Sequence, residues 1–499
     1  MKKFTGLVII LAALILGGYY GMGILTEKTI RKNIEVIDQT NGLFAEIEQY
    51  DRGMFSSDAK IKWRLHVPER IVTDANGHPQ TLPAQDYNMD MPITIHHGPV
   101  IFADHHVRFG LGYANTVFPF PQEYNEQFNA TFTKESVKPQ LDLSIFVNYF
   151  NQSTVDFNVP KFNLIAKEGN GLVEWKGMNA TTTMAPEMKK INGKVVIDGV
   201  QVTKDDAKIT LSQISSDYDL HETSAGLYLG DANFTLPAFN VLVKDQKVFE
   251  IADLVIKSDS DIEQHLFNTN FNVTLKSLLA NGQNYGPGDL EIALRNLDAD
   301  VLANINQQAS AMQNGTDAQR QQAMIALLPE LPKLFAKGAE FEISKLSMKI
   351  PQGQIEGNLF VSLPKGENAN PFELMQKIHG TAKLKVPAEA VKQIMQQSVK
   401  QQIAKEPALQ QSLAQQLQPN QATPAQAAQP APTTQSAQAA QPAQSPDQLA
   451  AAQADKQLAA LQQSGLITLQ GTDYLIDVTL DQGKFVVNGK PFDSSMLKF

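Results

Sequence analysis

Between Phe55 and Val67 the odd positions read Phe55, Ser57, Ala59, Ile61, Trp63, Leu65 and Val67, and the even ones Ser56, Asp58, Lys60, Lys62, Arg64 and His66. A period of two places alternate side chains on opposite faces, so this segment is a strand with one apolar face. At ~3.3 Å per residue it is about 43 Å long, roughly twice an ordinary strand, and it requires an elongated sheet. Leu43 to Tyr50 also reads as extended, and Asp51-Arg52-Gly53 between the two signals a tight hairpin in which Gly53 supplies a positive φ. The alternation returns at Val107–Tyr113, at Phe128, Ala130 and Phe132, at Leu141–Tyr149, and repeatedly up to Leu294. Asn192-Gly193, Asp198-Gly199 and Asn281-Gly282 read as turns between these runs. The expected fold class is mostly β with helical segments (α+β), built as a long, curved, mainly antiparallel sheet behind an N-terminal helix.

Helical spacing interrupts the strands near 299–337, where a Thr316-x-x-Gln319 capping box follows Gly315 and Pro329 and Pro332 break the pattern. It returns at 387–417, after Pro387. From Pro407 to Pro446 no residue is charged or aromatic, and the middle of this Gln/Ala/Pro-rich stretch, 418–445, is expected to be a disordered insertion. A helix from Ser445-Pro446-Asp447 to Gly465 and a hairpin around Asp481-Gln482-Gly483 fill 446–499, packing on the same domain as 27–417.

The N-terminus carries no charge from Phe4 to Leu25, after Lys2 and Lys3. At ~1.5 Å per residue this run is about 33 Å long, enough for a ~30 Å hydrocarbon core. It is expected to be a transmembrane anchor over 1–26, with the short N-tail in the cytoplasm and everything from about Glu27 in the periplasm. The alternative is a cleaved signal peptide with a mature start near Ile24.

Composition narrows the chemistry. The formal charge of −10 offers no basic footprint for nucleic acid, and the lack of cysteine removes thiol catalysis, Fe–S clusters and Cys-ligated zinc. No Gly-rich phosphate loop, His-Glu-x-x-His, Gly-x-Ser-x-Gly or dinucleotide fingerprint is present. His96-His97 and His105-His106 are weighed as metal ligands, but adjacent residues of an extended segment face opposite ways, and a turn with a hydrogen-bonded histidine is the plainer reading.

Tyr50-x-Arg52-Gly53-x-Phe55-x-Ser57 behind an N-terminal apolar run, followed by His97-Gly98-Pro99, resembles the YdgA-like family of Gram-negative envelope proteins, a domain of unknown function. Weaker matches lie at Gly288-Asp289-Leu290, Ala382-Lys383-Leu384 and Asn488-Gly489-Lys490. The resemblance implies a single-pass inner-membrane protein with a periplasmic domain, and it implies no catalytic, cofactor-binding or metal residue. Tyr50, Arg52, Gly53, Phe55, Ser57, His97, Gly98 and Pro99 read as structural, with Arg52 pairing to a nearby carboxylate or carbonyl and Gly98-Pro99 forming a turn. The leading functional expectation is a non-enzymatic binding or scaffold protein without cofactor, holding a lipid, peptide or protein in an apolar groove. Two alternatives are a hydrolase of envelope polymers and a self-associating structural protein.

Overall fold

The computed structural model describes residues 2–37, 43–67, 69–73, 79–118, 120, 124–313, 327, 329–366, 376–405 and 445–492. They form two compact units, Met1–Glu340 with Pro364–Pro371, and Phe341–Leu363 with Phe372–Phe499.

The first unit opens on a helix, Lys2–Ile37, and continues in the antiparallel strands Leu43–Arg52, Ser56–Val67 and Gln85–His97. Gly112–Phe118, Leu141–Val147, Ser153–Val159, Met178–Met184, Lys190–Ile197, Ile214–Glu222 and Tyr228–Val243 follow, each antiparallel to the one before. Gln246–Glu263, Leu266–Ala280 and Gly288–Asp298 complete the series. Tyr228–Val243 is 16 residues long because it serves two partners. Its first half pairs with Ile214–Glu222, and its second with Ala207–Leu211, which leads a branch through Val200–Lys204 to Leu172–Trp175 and Phe162–Ile165. The sheet stays open, since Leu43–Arg52 pairs with no other strand than Ser56–Val67 among the described residues.

Burial is concentrated at the first strands. Ile34 of the helix lies in one cluster with Ala45, Ile61, Met91, Ile95, Ala114 and Leu143, and Ile30 packs against it. Strand register carries the same face onward as a row of Thr116, Leu143, Phe157, Ala180, Val195, Ser216, Phe234, Ile256, Val273 and Leu290. Beyond Ala180 no member of that row is buried. Register also gathers turns at one end of the sheet: Ser56 opposes His96, His97 opposes Gly112, Gly112 opposes Val147, and Val147 opposes Ser153. The connections 53–55, 98–111 and 148–152 therefore share that end.

The second unit contains the strands Gly353–Ser362, His379–Pro387, Asp473–Asp481 and Lys484–Val487, paired in that order. Its helices Ala388–Lys405 and Pro446–Ser464 bury Val399 and Ile403 against Leu449 and Ala450. Ser445 caps the second helix in a reciprocal box with Gln448, and Gly465 ends it at φ 83°.

Several expectations are corrected. Phe128, Ala130 and Phe132 lie not in a strand but in and after the helix Asn125–Thr131; Phe128 and Phe132 are four apart, and their rings meet at 5.0 Å, a contact that helical spacing creates. Asn192-Gly193 is inside the strand Lys190–Ile197, where glycine gives room for the Tyr218 side chain on the neighbouring strand. Val107–Tyr113 is broken: His106–Arg108 pairs locally with Ile101–Ala103, and the main sheet resumes at Gly112. The Thr316 capping box and the 418–445 insertion, except for Ser445, lie outside the described residues. Among the described residues no helix is long and apolar enough to cross a membrane. The expected span Phe4–Leu25 is not supported by them; its side chains are described only from Ile15 onward.

The packing predicts a steep gradient of tolerance. Met91→Ala, at a site 1% exposed, is expected to cost about 2–5 kcal/mol, whereas Ile209→Ala, at 36% exposure, is expected to cost under about 1 kcal/mol. Urea denaturation of the two variants checks this.

Candidate functional site

The motif residues converge where the helix meets the end of the sheet. Tyr19, Gly23, Thr26, Ile30 and Ile34 are spaced at four, three, four and four residues, which is one face of a helix. Each touches the sheet unit. Tyr19 Oη donates to Val100 O at 2.6 Å, and its ring meets Phe55 edge-on at 4.8 Å. Thr26 Oγ1 donates to Leu111 O at 2.9 Å. At Gly23 the backbone lies so close to the imidazole of His97 that a Cβ would stand 2.7 Å from Cε1. Gly98, at φ 127°, takes a conformation that favours glycine, and a Cβ there would strike the Tyr19 ring.

Electrostatic contacts continue the seam. Arg52 Nη1 donates to Glu27 Oε2 at 3.1 Å, and Arg31 Nη2 to Glu27 Oε1 at 3.0 Å. The Arg52 guanidinium also covers the Tyr20 ring, 5.3 Å away, and that of Arg31 covers Tyr50 at 5.6 Å. These pairs are partly solvated, so each contributes no more than about 1 kcal/mol and serves mainly to fix register. Five of the eight motif residues, Tyr50, Arg52, Phe55, His97 and Gly98, thus contact the helix directly. The other three shape their surroundings. Gly53 N donates to Ser56 O at 2.9 Å, and Pro99 O accepts from the Tyr149 hydroxyl. Ser57 Oγ lies 3.0 Å from His97 Nε2. Gly53 corrects the expected positive φ, for it is absent from the positive-φ glycines; its small size matters because a Cβ would stand 2.5 Å from Ser56 O.

Ser57 and His97 are each 1% exposed, and the helix backbone at Gly23 closes over His97. A serine–histidine contact so enclosed offers no substrate an approach, and it acts as a hydrogen bond within the core. Burial lowers the His97 pKa from its ordinary value. The histidines weighed for metal binding lie in different surroundings: His96 stacks on Tyr113 at 6.4 Å, while His105 and His106 are exposed in a local hairpin. Among the described residues no three metal-ligating side chains come together. A cavity of about 740 Å³ opens farther along the same strands, with Ile34, Trp63 and Met89 among its lining and the partly buried Phe44 under the Arg64 guanidinium at 4.3 Å.

Sequence reasoning found the strand half of this cluster and missed the helix half, because Tyr19 and Gly23 were assigned to the apolar run. The signal was the stripe of spacings from Tyr19 to Ile34, which crosses from the uncharged segment into the charged one.

A motif-built junction between an N-terminal helix and an open antiparallel sheet is the defining feature of the described fold, and the family comparison covers almost all of it. The family described as bacterial protein of unknown function (DUF945) matches residues 1–494, so the chain belongs to that family. Protein YdgA of Escherichia coli (strain K12) is similar to it, 22% identical over 223 residues. That similarity covers 41% of this chain and 44% of the relative, so it spans less than half of either. No solved structure matches.

The junction generates two expectations. Gly23→Val forces a side chain into His97 and is expected to lower stability by about 1–3 kcal/mol, read as a lower thermal midpoint and faster proteolysis between the helix and Leu43. For His97, the folded-state pKa lies below the unfolded value near 6.5, so between the two the unfolded chain binds more protons. Stability is therefore level above pH ~6.5 and falls as pH drops through that window. Urea midpoints at several pH values are expected to show this fall, and His97→Gln to flatten it.

Proposed function

We propose that this chain is a membrane-anchored envelope protein whose sheet unit binds an apolar partner without catalysing a reaction. The observation that carries the reading is the row from Ala180 to Leu290. Antiparallel register aligns Val195, Phe234, Ile256, Val273 and Leu290 on one face, and none of them is buried. The row is interrupted only by Ser216 and is half-covered, and apolar surface left in that state suits a site that something occupies. An extended acyl chain or an apolar peptide segment matches a narrow row crossing successive strands, as no compact ligand does. Ile30 and Ile34 cover the same face at the first strands, so the helix supplies at one end the kind of contact that a ligand supplies farther along.

The membrane reading is supported by the uncharged run Phe4–Leu25, which is continuous with the docked part of the same helix. With Lys2 and Lys3 on the cytoplasmic side, the sheet unit lies in the periplasm of a bacterial inner membrane. The enclosure of Ser57 and His97 favours binding over hydrolysis.

Two measurements test this. A periplasmic reporter fused after Phe499 is expected to be active, and the full chain to remain with membranes after carbonate washing; an active cytoplasmic reporter contradicts the orientation. Native mass spectrometry of the purified full chain is expected to find bound lipid or peptide, with occupancy falling severalfold in Phe234→Asp/Ile256→Asp. A chain that carries nothing apolar, or one whose load is unaffected by that pair, contradicts the binding reading.

A further inference from the structure

The end of the sheet at which the helix enters carries the largest exposed rings of the described chain. Phe150 is 84% exposed, Phe102 68%, Phe109 64% and Phe55 55%, and every other exposed phenylalanine among the described residues falls below these. All four lie in the connections 53–55, 98–111 and 148–152, which register brings to that single end. Tyr149 joins them, its hydroxyl bonded to Pro99 O, and Val107 stands opposite Phe102 on the short hairpin.

The charged residues of these connections are held by neighbouring groups, although Asp104 is itself exposed. They contain only Asp104 and Arg108 as acid and base. Asp104 accepts hydrogen bonds from Tyr113 and Asn115, and Arg108 donates to Ala103 O and lies 4.0 Å from the Tyr113 ring centroid. Besides Asp104, His105, His106 and Asn151, the exposed side chains of these connections are aromatic and apolar, around the point where Tyr19 contacts Phe55 and Val100.

The length of the helix identifies the occupant. Among the described side chains, contact with the strands begins at Tyr19, and a Cβ on Gly17 or Gly18 would have nothing within 4 Å. The uncharged residues before it, Phe4 to Gly18, span about 22 Å at ~1.5 Å per residue, some 8 Å less than a ~30 Å hydrocarbon core. Tyr19 to Gly23 make up the difference, and those residues are held against the aromatic end of the sheet. A helix clamped in this way cannot slide to correct the mismatch, so the sheet end must enter the boundary layer with it. Aromatic rings are the side chains best suited to that layer.

We propose that Phe55, Phe102, Phe109, Tyr149 and Phe150 form a collar that sits in the headgroup region of the lipid bilayer around the anchoring helix. This rests on the anchor reading above. It sets the sheet unit directly on the membrane, with its turns about 5–10 Å into the interface, rather than leaving it tethered at a distance.

The native chain has no cysteine, so single spin labels can be placed at will. Phe102→Cys, Phe150→Cys, Leu11→Cys and Phe485→Cys would each be labelled in the full chain, reconstituted in phosphatidylethanolamine–phosphatidylglycerol vesicles. Relaxation by oxygen would be compared with relaxation by a water-soluble nickel chelate. Labels at 102 and 150 are expected to show an oxygen-to-nickel ratio severalfold above that at 485 and below that at 11. If the labels at 102 and 150 match 485 while 11 reads as lipid, the collar is wrong and the anchor stands. If 11 is aqueous as well, both fall.

Discussion

The close approach of one helix to one imidazole organises this fold. Gly23 permits the helix backbone to lie on His97, and Gly98 in turn makes room for Tyr19. Each contact depends on the absence of a side chain, so neither position tolerates the addition of even a methyl group without movement. His97 is held from below by Ser57, whose strand pairs with the segment that carries His97 itself. The seam therefore ties residues 19–34 to 50–57 and to 97–112, three segments far apart in the chain and joined by few local rules.

Much follows from that placement. Once Ile30 and Ile34 lie over Ala59, Ile61, Met91 and Ile95, the first strands have a two-sided core, and burial there is dense. The described helix runs to Ile37, and the apolar face continues through Val195 and Phe234 half-covered. Under the proposed function, a one-faced pattern that would be liable to aggregate in an isolated sheet becomes usable surface because an anchor fixes its position and orientation. Under the proposed collar, the same docking sets the depth of the sheet end, because a helix that cannot slide transmits its own position to the turns beside it.

Local patterns made the strands legible. Alternation from Phe55 to Val67 corresponds to the strand Ser56–Val67, and Asp198-Gly199 and Asn281-Gly282 are turns as read. The failures share a cause. Phe128 and Phe132 satisfy a period of two as well as a period of four, and in the helix Phe128 packs against Phe132 at 5.0 Å and Phe120 at 5.1 Å. Asn192-Gly193 has turn chemistry, but the bulk of Tyr218 across the sheet demands a glycine within the strand. The motif was recognisable without its purpose, since nothing near Gly98 points to Tyr19, 79 residues earlier. The stripe from Tyr19 to Ile34 was the available clue, and it was hidden because half of it coincides with an uncharged run that already had an explanation.

The central claim is that the helix and the first strands are one cooperative body rather than an anchor with a hinged cargo. Hydrogen exchange of the full chain in lipid nanodiscs tests it most directly, read at amides that lie past the uncharged run. The account predicts that Lys28 to Ile34 exchange with the same free energy of opening as Ile61 and Ile95, so that helix and strands are lost together with denaturant. Exchange of Lys28 to Ile34 at the rate of a frayed helix, with the strands still protected, would contradict it.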